Sequence, residues 1–308
     1  MISYYKTING RIRRIDEPEE GCWIDVVNPD EKEVNFLVTN FAIEPGFIRA
    51  SLDEDETARI ESGGGVTLII LDTPVSEVNE NGVNYFTMPI GILVAKEHVI
   101  TVSLRENSII TEFTEGVIKN VQTNLKTQFV LYIMLRVAAR FLQNLKQIDK
   151  ISIQLEKQLR KSMKNKELIQ LLELQKSLVY FSTSLKSDET TIEKMMRGRY
   201  IKMYEEDQDI LEDVLIEIKQ AIEMSNIYLN VLSGTMDAFA SVISNNVNNV
   251  MKILASITIV ISIPNIIAGF YGMNVSGLPL SQFFWFPVIL SVALMAGVGY
   301  ILYKKDMF

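Results

Sequence analysis

The chain has 308 residues, a formal net charge of −8 and a mean hydropathy of +0.16. One cysteine, Cys22, and one histidine, His98, exclude a disulfide framework and a Cys/His zinc site within a single chain. They also leave no nucleophile–base pair for an enzyme, and neither enzymatic activity nor a nucleic-acid partner is expected.

Residues 1–125 read as mixed α/β. Ile2–Tyr5, Cys22–Val27, Val66–Asp72, Met88–Val94 and Val99–Leu104 are short β-branched or apolar runs bounded by turn residues. Asp30–Asn40 begins like a helix, with Pro29 before it and acidic residues in its first turn. Ser62-Gly63-Gly64-Gly65 reads as a flexible loop; with no Gly-Lys-Ser/Thr after it, it does not cradle phosphate. Asn79-Glu80-Asn81-Gly82 reads as a turn between strands. Met1–Arg14 carries charges and no apolar core, so no export signal is expected, and this acidic region should stay in the cytoplasm.

Residues 126–250 read as helical. From Thr127 to Met251 there is no proline and almost no glycine. Leu131, Leu135, Ala138, Leu142, Leu145, Ile148, Ile151 and Leu155 recur at helical spacing. The pattern breaks near Asn165 and resumes over Leu168–Leu185. A third stretch starts near Glu206 and continues without a stop signal into the apolar region. A helix of nearly 60 residues would span about 85–90 Å at 1.5 Å per residue. Alone it would expose much apolar surface, so a helical stalk and an oligomer are expected.

Between Lys252 and Lys304 no residue is charged. A membrane span needs about 20 apolar residues, so this tract accommodates two spans and a tight turn. They are expected from about Ile253 to Phe270 and from about Phe283 to Tyr303, with residues 251–308 forming a membrane hairpin and basic tail. Lys252 and Lys304-Lys305 flank the hairpin, which puts both its ends, and both termini, on the cytoplasmic side. The expected location is the plasma membrane.

The first span carries a stripe at alternating steps of three and four: Asp237, Ser241, Ser244, Asn248, Met251, Ala255, Thr258, Ser262, Asn265 and Gly269. Nearly all are polar or small, whereas Ile253, Leu254, Ile257, Ile259 and Ile261 occupy other faces. A polar stripe on an apolar span faces protein or water rather than lipid. Its spacing fits a left-handed bundle of parallel helices around a conduit. Small residues also permit close packing, which alone explains Ala255, Ser262 and Gly269; it explains Asn265 less well, because a buried amide is costly unless paired or wet. Ser256 lies off the stripe. The second span has only Ser291 and terminal tyrosines as polar content and reads as a lipid-facing ring.

Tyr271-Gly272-Met273-Asn274 falls where the spans turn. A ring of Asn274 amides would offer neutral oxygens to the waters of a hydrated cation, which suits an ion as reluctant to dehydrate as Mg²⁺.

With Phe270-Tyr271-Gly272-Met273-Asn274 at the end of the first of two C-terminal spans, the chain resembles the CorA family of divalent-cation channels. Trp23-Ile24-Asp25, the run Asn248–Leu254 and the basic tail add to the likeness. The resemblance implies an α+β, funnel-shaped homopentamer whose pore is lined by the first span, with Asn274 in the selectivity loop. Asp237, Asn248, Met251 and Leu254 match pore or gate positions, Leu254 being the hydrophobic constriction. Mg²⁺ is implied as cargo and as regulator, with Co²⁺ or other divalent ions as further cargo. Regulation would use Asp213 and an acidic partner from the α/β domain. Arg49-Ala50-Ser51 stands where that acid pair would be, so Asp53, Asp55 or Glu56 would have to substitute. A transporter of Zn²⁺, Co²⁺ or Ni²⁺ and a membrane-tethered scaffold are the alternatives; Met273 favours magnesium over zinc.

Overall fold

The computed structural model describes residues 1–79, 82–162, 165–197, 200–273, 278–280, 283–305 and 307. By internal contacts they group into two units, Met1–Ser233 and Gly234–Phe308.

The first unit is built on a seven-stranded mixed sheet. Its strands are β1 (Ile2–Ile8), β2 (Arg11–Ile15), β3 (Trp23–Val27), β4 (Arg59–Gly63), β5 (Val66–Asn79), β6 (Gly82–Val94) and β7 (Val99–Ser103). Their spatial order is β2-β1-β3-β7-β6-β5-β4; β3 and β7 are parallel, and the other neighbours pair antiparallel. The central pair is buried except at Val27, as parallel strands covered on both faces should be.

Alternation along β3 assigns the two faces. Ile24 and Val26 join Leu37, Ile43, Phe47 and Ile48 in the core under α1 (Glu31–Phe41) and α2 (Pro45–Ser51). Trp23 points the other way, against Phe129 (ring centroids 5.2 Å apart) and Phe113 (6.4 Å). Those rings come from α4 (Lys126–Ser162) and α3 (Ser108–Thr114), and α5 (Asn165–Arg197) continues this layer, its Phe181 meeting Phe141 at 5.1 Å. The sheet is thus sandwiched between α1–α2 and α3–α5.

Local chemistry explains several boundaries. Asp30 caps α1 in a capping box with Glu33, which also receives the N-terminal ammonium at 2.9 Å. The sequence from Ser62 to Gly65 is not a flexible loop: β4 and β5 pair up to Gly63↔Val66, leaving Gly64 and Gly65 as a two-residue turn with φ of +58° and +84°. Both angles favour glycine, which is why a glycine run stands there. Strands β5 and β6 likewise pair out to Asn79↔Gly82; residues 80 and 81 of the expected turn lie outside the described residues. The expected helical break near Asn165 and third start near Glu206 match α5 and α6 (Glu205–Tyr271). The first part of α6 packs on α5: Ser225 Oγ donates to the Leu178 carbonyl (3.1 Å) and Gln175 Nε2 to Ser233 Oγ (2.9 Å).

Two carboxyl groups are sealed into the first unit. Trp23 Nε1 donates to Thr101 Oγ1 (2.9 Å), whose hydroxyl donates to Asp25 Oδ1 (2.8 Å). Burial pushes the Asp25 carboxyl up to about 6, against the lowering effect of that hydrogen bond. On α5, Asp188 is fully buried; its Oδ1 accepts the Asp72 amide (2.9 Å), and its Oδ2 has no partner among the described residues. Burial first, and the Asp72 carboxylate second, raise Asp188 well above the usual carboxylate range.

A folded-state pKa raised above its unfolded value means the native carboxyl holds its proton longer. Stability is then lost as pH rises between the two values. For Asp25 the window runs from about pH 4 to about pH 6 and is worth about 3 kcal/mol; for Asp188 it starts at the same point and extends upward. Unfolding of the full chain, followed by Trp23 fluorescence in a Trp285→Phe background, should therefore show stability rising from pH 8 to pH 5. Asp188→Asn should raise stability at pH 8 and flatten that slope; an unchanged slope in both Asp188→Asn and Asp25→Asn would show that neither carboxyl is protonated natively.

Candidate functional site: the apolar helix pair and its turn

The second unit contains the remainder of α6 and α7 (Trp285–Lys304). Both helices are long and apolar enough to cross a membrane. Pro264, Ile267, Ala268 and Tyr271 of α6 share an apolar groove of about 370 Å³ with Pro287, Val288, Ser291 and Val292 of α7 and the preceding Phe284. Both sets follow the three-and-four spacing of one helical face. Tyr271 closes one end of the pair: its ring lies 6.3 Å from that of Phe286, and its hydroxyl donates to the Pro279 carbonyl (3.0 Å). Ser256 closes the other: fully buried, it donates to the Met307 carbonyl at 3.0 Å. This accounts for the residue that stood off the polar stripe.

The face of α6 turned toward α7 is therefore marked by Ser256, Val260, Ile263, Ile267 and Tyr271. At 3.6 residues per turn, the stripe of Met251, Ala255, Thr258, Ser262, Asn265 and Gly269 lies about 160° around the helix from it. Both stripe and seam are thus properties of one helix, on nearly opposite sides. Asp237, Asn248, Met251, Leu254, Ala255, Thr258, Asn265 and Gly269 are exposed in the single chain, and Ser262 is half-buried. Thr258 Oγ1 donates back to the Leu254 carbonyl (2.8 Å) and Ser262 Oγ to the Thr258 carbonyl (2.7 Å). Their protons are committed to the helix, so outward they present only acceptor lone pairs. Asn265 has no hydrogen bond among the described residues. Pro264 lies inside α6 and removes the donor that would serve the Val260 carbonyl.

The helix runs to Tyr271, and the Gly272 amide still bonds the Ala268 carbonyl (2.9 Å). A Cβ at position 272 would stand 3.1 Å from that carbonyl oxygen, a reason for glycine there that does not need an unusual φ. Met273 is exposed rather than packed. Asn274 lies outside the described residues.

The proposed regulatory acids are at the surface of the first unit. Asp213 and Asp53 are both exposed, and Asp53 Oδ1 accepts the Asp55 amide (3.1 Å). Glu56 pairs with Arg59 and Glu54 with Arg105. No group of three or more His, Cys, Asp or Glu side chains able to hold a metal occurs among the described residues. Ser51, where an acid was looked for, is fully buried on α2 against β6; a Cβ on Gly91 would lie 1.8 Å from its Oγ. A carboxylate has no room and no solvent there. Cys22 and His98 do meet (Sγ to Nδ1 3.4 Å), but burial raises the thiol and lowers the imidazole, which keeps both neutral.

An α/β unit followed by long helices and two apolar C-terminal helices, the first with a polar face turned from the second, defines a two-span membrane transporter. The family model described as CorA-like Mg2+ transporter protein matches residues 18–304, and the chain belongs to that family. It is 28% identical over 290 residues to the cobalt/magnesium transport protein CorA of Methanocaldococcus jannaschii, covering 91% of this chain and 89% of that one. It is 23% identical over 311 residues to the magnesium transport protein CorA of Campylobacter jejuni, covering 95% and 94%. The complete structure of the M. jannaschii CorA magnesium transporter superposes with a TM-score of 0.81 at 24% identity, covering 99% of this chain and 96% of the other.

The opposed faces make a prediction about solvent. In a Cys22→Ala background, cysteines at Thr258, Ser262 and Asn265 should react with a membrane-impermeant thiol reagent in the assembled protein, and a cysteine at Ser256 should not. Equal protection at all four positions would mean that the stripe is a dry packing face.

Proposed function

We propose that this chain is a divalent-cation channel that admits Mg²⁺ down its electrochemical gradient, with Co²⁺ as further cargo, and that it works as a homopentamer in the plasma membrane. Asn265 carries the reading. An amide in an apolar span is costly unless it is hydrogen-bonded or wet, and this one faces away from α7 without a partner among the described residues. Two helices cannot enclose water. Copies of α6 arranged around an axis can, with α7 outside them.

In this reading residues 1–125 form the cytoplasmic α/β domain, 126–250 the helical stalk and 251–308 the membrane hairpin. Met251, Ala255, Thr258, Ser262, Asn265 and Gly269 line the conduit, Asp237 and Asn248 stand at its cytoplasmic approach, and Leu254 forms its hydrophobic constriction. Tyr271, Gly272 and Met273 shape the turn from which Asn274 meets the ion at the outer mouth. The flanking lysines Lys252, Lys304 and Lys305 support cytoplasmic termini. A potential of −100 mV drives a divalent ion inward with roughly 4.6 kcal/mol, at about 2.3 kcal/mol per charge, so no nucleotide site is required. Cytoplasmic Mg²⁺ closes the channel by bridging Asp213 of one subunit to the acidic segment around Asp53 of its neighbour. That the two acids are exposed on a single chain is compatible with a site completed only between copies.

Mg²⁺ entry into proteoliposomes should fall at least tenfold with Asn274→Ala; equal flux in both proteins would remove Asn274 from the filter. For regulation, millimolar Mg²⁺ should protect the cytoplasmic region of the wild type from protease, and Asp213→Ala should lose that protection. Retained protection would take Asp213 out of the regulatory site.

A further inference from the structure

A polar cleft of about 290 Å³ opens in the first unit, between β5, the segment joining β7 to α3, and α4. It has no part in the channel reading. Arg140 and Asn144 line it from consecutive turns of α4, and Ser103, Arg105, Asn107 and Ser108 from the opposing segment. The cleft holds more hydrogen-bond donors than the protein uses. Asn144 is 5% exposed and makes no hydrogen bond among the described residues. Arg140 is held in place: Nη1 reaches Ser108 Oγ at 3.0 Å and Nη2 reaches Glu112, while Nε is sealed from solvent with no partner among the described residues. Ser108 accepts that bond, which leaves its own proton free. Asn107 spends one amide proton on Thr73 Oγ1 (3.0 Å) and retains the other.

Buried polar groups are ordinarily satisfied, and a side chain as buried as Asn144 left without a partner among the described residues is a costly exception. Mispacking is a poor explanation, because Arg140 is fixed at its other nitrogens and Asn144 follows it by one helical turn on the same face. The missing element is an acceptor. A cation does not fit: it would meet Arg105 and Arg140, and Glu77 is already engaged by Arg105 at 3.2 Å. Arg105 is paired with Glu54 and Glu77, Arg140 with Glu112, and Glu106 also lines the cleft, so recognition depends on directed donors rather than on a basic field. The space equals about ten water volumes, enough for a small metabolite and too little for a nucleotide with its base.

We propose that this cleft binds a small oxyanion, a carboxylate or phosphate group, held by the Asn144 amide, the second Asn107 amide proton and the Ser108 hydroxyl. The site is independent of ion conduction and stands or falls separately from it.

Calorimetric titration of the full chain in detergent, with EDTA present so that chelation of divalent ions plays no part, tests it with two probes. Succinate represents organic acids and inorganic phosphate represents phosphates. Saturable binding of either at 1:1 is expected, and the arm that binds identifies the source of the oxyanion. Asn144→Leu should weaken it about tenfold or more, the loss of a hydrogen bond to a charged group. Ser108→Ala, at an exposed position that folding tolerates, should weaken it several-fold. Absence of saturable binding for both probes overturns the proposal, as does binding that neither substitution weakens.

Discussion

Inside hydrocarbon every polar atom must be answered by the protein itself or by water it encloses, and α6 meets this demand in three ways. Ser256 is answered by the Met307 carbonyl, a bond that ties the end of the chain to the start of the span. Thr258 and Ser262 are answered by their own helix. Asn265 is answered by nothing among the described residues. The first arrangement fixes which side of α6 belongs to α7, and with that settled the helical period places everything else. The stripe's direction is a consequence of the seam, so a change at Ser256 or Ile267 would bear on the stripe as much as a change within it.

The first unit rests on a different constraint. Strand β3 is covered on both faces, so its one carboxylate, Asp25, is largely cut off from water and is held by a relay through Thr101 to Trp23. The same strand supplies Ile24 and Val26 to the opposite core. Trp23-Ile24-Asp25 is therefore a structural triplet. Its aromatic ring joins α3 and α4 to the sheet, and its acid locks the parallel partner β7 in register. Its resemblance to a family motif needs no role in ion binding to explain it.

What the sequence made legible follows the size of the periodic signal. Strands β3, β5, β6 and β7, the capped helix α1, the breaks between α4, α5 and α6 and both apolar helices were readable, because each carries many residues of one period or a recognisable cap. Strands β2 and β4 were not. They lie at the sheet edges and are written in charge, Arg11, Arg13 and Arg14 in one and Arg59 and Glu61 in the other, which guards an edge but erases the apolar alternation. Helices α2 and α3, at seven residues each, are too short to show a period. The role of Ser256 was hidden because its partner is 51 residues away, and the donor-rich cleft because Arg140 and Ser108 meet only after folding. The stripe was readable in advance; the seam that orients it was not.

The chemistry of the stripe bears on how such a conduit would treat its ion. Hydroxyls whose protons are donated back to the helix offer only lone pairs, and the outward-facing hydrogens of a hydrated cation's waters are the complementary partners. Such a wall would interact with the shell and leave it in place, which suits an ion that dehydrates as reluctantly as Mg²⁺. Uncharged oxygens would also hold a divalent ion loosely enough for it to move on, whereas a carboxylate ring would bind more tightly and slow its release. Residues 275–282 carry no acidic side chain either, so little electrostatic attraction would concentrate cations at the outer mouth. In the proposed channel, uptake then depends on the membrane potential and on recognition of the shell at Asn274. In the same proposal the acidic residues of the chain, all outside the span, would sense the ion once it has entered.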